Sequence, residues 1–113
     1  KDVAMVDQHN VVMGKATFGI DAKRPEMLYA MVERPPVYDS KLKAVDASEA
    51  LKVPGVAQTV NLPGFKQPHA FQQVGGVAVL GNSTWAVLQA RKKLKIDWDL
   101  NPEHANFNSA AYK

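Results

Sequence analysis

The run Met27-Leu28-Tyr29-Ala30-Met31-Val32 is six residues of nearly unbroken apolar character, followed by Glu33, Arg34 and two prolines. Its length fits a buried strand better than a helix. Pro35 and Pro36 close it, because neither can donate to a sheet ladder. Whatever the chain folds into must therefore hold a sheet around this segment.

Downstream segments supply strand partners. Lys41 to Val45 alternates polar and apolar, as a half-buried strand does. Asp46-Ala47-Ser48-Glu49 then reads as a capping box, Asp46 accepting from the N3 amide and Glu49 reaching back to the cap. The helix is short, because Pro54-Gly55 follows at once. Val56 opens another strand, so residues 41–60 form a strand–helix–strand unit. Gly76 to Leu80 is a continuous apolar strand. Gly81-Asn82-Ser83-Thr84 is a turn and N-cap. The second helix carries an apolar stripe at Ala86, Val87, Ala90 and Leu94. Its basic residues Arg91, Lys92 and Lys93, with Lys95, complement the dipole at its C-terminal end. Lys95 to Asp99 alternates again as a final strand. Val11 to Phe18 reads as a strand interrupted by Gly14, and Phe65 to Gln73 as an exposed loop.

The expected fold class is α+β. Strands are expected near 27–34, 41–45, 56–61, 76–81 and 95–99, and helices near 47–52 and 83–94. The expected core is Leu28, Ala30, Val32, Val45, Leu51, Val56, Val60, Val77, Val79, Val87, Ala90, Leu94, Ile96 and Trp98. Residues 1–11 read as a linker or edge strand, 12–100 as the domain, and 101–113 as a C-terminal linker fragment. Both ends read as cut from something longer.

Composition narrows the chemistry. The 113 residues hold 14 basic and 11 acidic side chains, a net charge of +3. The signs are mixed along the chain, which argues against a nucleic-acid surface. There is no cysteine, so disulfides, thiolate metal sites, iron–sulfur ligation and a cysteine nucleophile are excluded within these residues. No apolar run approaches a membrane span. His9, His69 and His104 lie in no metal-ligand spacing. Gly75-Gly76 precedes a strand instead of opening a helix, which suits a turn or bulge and not a phosphate loop. Asp97 and Asp99 share one strand face with no nucleophile beside them, and read as a solvated face. Met27, Tyr29 and Met31 alternate and read as packing. Trp85 lies off the helix stripe, as core or as an anchor for a neighbouring body.

Four stretches together resemble one family: GKATFGID (14–21), MLYAMVERPPV (27–37), AVDASEALKVPGV (44–56) and GVAVLGNSTWAVLQARKKLKIDWD (76–99). In this order they resemble the α/β hammerhead domain of the molybdenum-binding large subunit of molybdenum hydroxylases. The group most like it is that of the isoquinoline 1-oxidoreductase β-subunits and periplasmic aldehyde dehydrogenases. The chain departs where the family often has Leu-Pro-Gly-Met and this sequence has Arg24-Pro25-Glu26-Met27. It departs again where the family often has Phe-Gly-Gly and this sequence has Tyr38-Asp39-Ser40.

The resemblance implies a mixed sheet with one short and one longer helix. It implies a parent enzyme that oxidises N-heterocycles or aldehydes with a molybdopterin cytosine dinucleotide. Two [2Fe–2S] clusters would sit on a partner small subunit, with a cytochrome beyond it, in the periplasm. The family's catalytic glutamate and cofactor motifs lie outside these residues, so no catalytic, cofactor-binding or metal residue carries over. The chain alone is expected to be inactive and to bind neither molybdenum nor iron. Its expected role is structural, with Trp85, Phe65, Phe71, Val37 and Tyr38 presented to other domains of the large subunit. The alternative is a stand-alone module that contacts an acidic partner through the basic end of the second helix.

Overall fold

In a computed structural model, residues 3–65 and 71–111 are described; the expected loop at 66–70, with His69, lies outside them. A three-stranded antiparallel sheet carries the core, in the order β1 (Tyr29–Glu33), β4 (Gly76–Gly81), β3 (Val56–Leu62). A second sheet pairs β2 (Lys41–Asp46) with β5 (Lys95–Asp99), also antiparallel. The α+β class with one short and one longer helix stands; among the described residues the strands divide into two sheets and every pairing is antiparallel. The strand–helix–strand unit at 41–60 is accordingly split, with β2 and β3 in different sheets.

Helix α2 (Ser48–Leu51) and helix α3 (Thr84–Lys93) pack on one face of the larger sheet. Ala50, Val79, Val87 and Ala90 form the buried cluster, with Tyr29, Met31, Val53, Val56 and Leu94 packed against it. The helix stripe Ala86, Val87, Ala90 and Leu94 is the one that faces inward, and Val77 and Val79 are fully buried. Ser83 caps α3, its hydroxyl accepting from the Ala86 amide at 3.2 Å. Val32, Val45, Ile96 and Trp98 are half-buried, the last three on the two-stranded sheet.

Four expected core residues are corrected. Leu28, Ala30, Leu51 and Val60 are exposed. Strand geometry explains β1: Tyr29 and Met31 take the helix face, so Leu28, Ala30 and Val32 point the other way. Val60 pairs with Ala78 on that same opposite face. Leu51 ends a four-residue helix that reaches the core only through Ala50.

Two local expectations also change. The capping box does not form: Asp46 accepts from the Ser48 amide at 2.9 Å, while Glu49 pairs with Lys52 at 2.7 Å. Residues 11–18 form no strand. The chain instead makes a short helix α1 (Gln8–Val12), followed by one 3₁₀ turn at Gly19–Asp21.

Candidate interdomain surface

The five expected interface residues do not form one patch. Tyr38 and Phe65 meet, their rings 5.8 Å apart and tilted by 38°. His104 stands edge-on to Tyr38 at 5.6 Å. Val37 and Tyr38 border a hollow of about 330 Å³ closed by Pro36, His104 and Phe107. Phe65 borders a neighbouring cleft of about 340 Å³ with Leu42, Leu62 and Trp98. Trp85 lies elsewhere, on the first turn of α3, 70% exposed. Near the opposite end of that helix, Arg91 pairs with Glu33 of β1. Phe71 is fully exposed on a left-handed backbone, φ 60°. Val37 and Phe65 are half-buried against their neighbours.

The aromatic cluster is held by polar clamps. The Asn101 amide N–H donates to the Ser40 hydroxyl at 3.0 Å, and its side-chain amide donates to Asp39 at 3.2 Å. These bonds draw the segment after β5 back onto the loop after β1, which brings His104 to Tyr38. The Arg34 guanidinium donates to the Val74 carbonyl and ties the loop before β4 to the end of β1.

The charge pattern is that of a solvated surface. No polar or charged side chain is buried among the described residues. Hydrogen bonds from Ser48 hold the Asp46 carboxyl below its ordinary value, and Lys52 does the same for Glu49. Lys52 and Lys43 are raised by their partners Glu49 and Asp97. All four groups are fully solvated, so these shifts mark surface pairs and not an acid–base centre. Asp97 and Asp99 are exposed on the strand face opposite Ile96 and Trp98. Of the basic end of α3, Arg91 is engaged with Glu33 at 3.0 Å, while Lys92, Lys93 and Lys95 are exposed.

No group of three or more His, Asp or Glu is placed to hold a metal among the described residues. Gly75 and Gly76 form no phosphate cradle, since a Cβ on Gly75 would meet the Gly64 backbone at 2.7 Å. A Cβ on Gly76 would run into the Glu33 carbonyl. No helix among the described residues is long and apolar enough to cross a membrane.

Sequence reasoning missed the N-terminal segment as a surface feature. Val6, Val12 and Ile20 stand almost fully in solvent there. Their spacing follows neither a strand nor a helix period, so no pattern marks them as one face.

Known proteins share this arrangement. The chain is 37% identical over 109 residues to the isoquinoline 1-oxidoreductase subunit beta of Brevundimonas diminuta, covering 96% of this chain. It is 38% identical over 86 residues, or 75% of the chain, to the membrane-bound aldehyde dehydrogenase [pyrroloquinoline-quinone] of Gluconacetobacter polyoxogenes. Among solved structures, quinoline 2-oxidoreductase from Pseudomonas putida 86 superposes with a TM-score of 0.66 at 16% identity, over 88% of this chain and 16% of that one. Reconstituted CO dehydrogenase from Oligotropha carboxidovorans gives 0.65 at 19% identity, over 88% of this chain and 15% of that one. No family model matches the chain. These likenesses, with the fold, make the chain a molybdenum hydroxylase domain. It spans only 12% and 11% of the two curated relatives, about an eighth of their length.

Proposed function

We propose that this chain is a structural and interface domain of a molybdenum-dependent hydroxylase, without catalytic activity of its own. One observation carries the reading. A match across 96% of this chain occupies only 12% of an isoquinoline oxidoreductase subunit. In this reading the intact enzyme oxidises N-heterocycles or aldehydes. Its molybdopterin cytosine dinucleotide sits in other domains of the large subunit, and [2Fe–2S] clusters sit on a small partner subunit. Electrons then pass to a cytochrome in the periplasm. The hammerhead positions neighbouring domains through its aromatic cluster and its exposed apolar side chains.

The test is expression of the full polypeptide encoded by the reading frame, with molybdenum and released nucleotide measured alongside oxidation of an aldehyde and N-heterocycle panel. The expected result is stoichiometric molybdenum, cytosine nucleotide and oxidation of at least one panel member. A full-length product that carries pyrroloquinoline quinone and no molybdenum overturns the reading.

A further inference from the structure

The N-terminal arm, residues 3–26, carries two of the chain's four methionines and one of its three histidines. Met5, His9 and Met13 follow one another at intervals of four. On a helix that interval keeps side chains on one face, with about 5–6 Å between neighbouring Cβ atoms.

The backbone holds the spacing. The Gln8 amide donates to the Met5 carbonyl at 3.3 Å, the Val11 amide to the Asp7 carbonyl at 3.0 Å, and the Met13 amide to the His9 carbonyl at 3.0 Å. His9 lies within α1, and Met13 is its C-cap. Met5 and His9 border one hollow of about 390 Å³, together with Val6, Gln8 and Val12. Met13 follows one turn further on.

All three side chains are open to solvent, Met5 at 63% and Met13 at 57% exposure. A methionine used for packing behaves otherwise: Met31 of β1 lies against the buried cluster. Among the described residues no hydrogen bond or ion pair engages the His9 imidazole.

The donor set is selective. Two thioethers and an imidazole are uncharged ligands, and thioether sulfur is soft. Magnesium and calcium take oxygen, and zinc takes thiolate, imidazole or carboxylate. Thioether sulfur selects copper(I). Methionine's three rotatable bonds let each sulfur turn toward the imidazole between them.

We propose that Met5, His9 and Met13 form a surface site for one soft monovalent cation, copper(I), held by two thioether sulfurs and one imidazole nitrogen. Binding involves no change of oxidation state. The site is independent of the reading of the chain as a hydroxylase domain.

The test is mild hydrogen peroxide treatment of the full-length polypeptide, its thiols first blocked with N-ethylmaleimide. Silver(I) is the probe, an ion of the same charge and softness that does not react with peroxide as copper(I) does. Mass spectrometry of the tryptic peptide ending at Lys15 reads Met5 and Met13 together. With silver(I), both sulfoxides should form at least about tenfold more slowly than without it. Zinc(II) should give no protection. His9→Gln should abolish protection at both methionines, and Met13→Leu should abolish it at Met5. These side chains are exposed, so the substitutions leave the core intact. Oxidation unaffected by silver(I) overturns the site. Methionines that resist peroxide before any metal is added are covered in the intact protein, and overturn it too. Protection that survives His9→Gln belongs to separate thioethers, and equal protection by zinc(II) to a site that is not soft; either result overturns the proposal.

Discussion

Glu26 and Asp39 bracket β1 with the same left-handed backbone, φ 59° and 56°. Both stand where the resembled family often carries glycine. At 24–27 the Met27 amide donates to the Arg24 carbonyl at 3.2 Å, closing a turn with Pro25 second and Glu26 third. A positive φ at that third place favours glycine. The left-handed state costs an ordinary L-residue about 1–2 kcal/mol, partly offset by the backbone entropy of glycine. Glu26→Gly is therefore expected to raise stability by about 0.5–1 kcal/mol. Asp39 tolerates the conformation better, and its carboxylate accepts from Asn101. Asp39→Gly should change stability by less than about 0.5 kcal/mol. Urea denaturation of both variants checks this, and a destabilised Glu26→Gly would refute it.

Gly81 ends β4 against the carbonyl of Gly55, which a Cβ on Gly81 would meet at 2.6 Å. The same Cβ would press on Val87 at 3.0 Å. The Asn82 amide donates to that Gly55 carbonyl at 2.8 Å, so the backbones cannot part without losing the bond. Gly81→Ala should cost about 1–3 kcal/mol, seen as a lower urea midpoint at unchanged slope.

Val79 and Val60 are valines of the same sheet with opposite fates. Val79 is fully buried under α3, whereas Val60 is on the open face. Val79→Ala leaves a cavity and should cost about 2 kcal/mol or more. Val60→Ala in the 113-residue chain should cost less than about 1 kcal/mol. Equal losses would show that the open face is covered within this chain.

Acid should loosen the start of α2. The carboxyls of Asp46 and Glu49 are held below their ordinary values of 3.8 and 4.5. A depressed carboxyl contributes stability that is fully present above its unfolded value and lost as pH falls through its folded value. The decline should therefore begin near pH 4.5 and continue below 3.8. Lys43 and Lys52, raised above 10.5, contribute in the opposite sense and lose their share as pH climbs past that value. A paired Asp46→Asn, Glu49→Gln variant should flatten the acid limb of a denaturation-midpoint profile. An unchanged limb would remove these two groups from the account.

Strand and helix positions were legible because period and punctuation agree there. The Ser83 cap, the Ala86–Leu94 stripe and the Pro35-Pro36 stop are local signals, and local chemistry decides them. Which face of β1 turns inward was not local. Leu28-Ala30-Val32 and Tyr29-Met31 are both apolar sets, and only the position of α3 chooses between them. The division into two sheets depends on contacts between residues more than forty apart, for which a strand pattern carries no sign. Tyr38 and Phe65 stand out in the sequence as aromatics in loops, but no local pattern signals that their rings meet. The arm was missed because its apolar residues lack a period.

Both edges of the larger sheet, β1 and β3, bond to β4 and not to each other. β4 follows them in the chain, just as β5 follows β2. On the ribosome, β1, β2 and β3 therefore leave the exit tunnel with no strand to pair with. They stay unpaired until residues 76–99 emerge, and sheet formation is then compressed into one late event. For that interval the apolar run of β1 has no strand partner to cover its backbone.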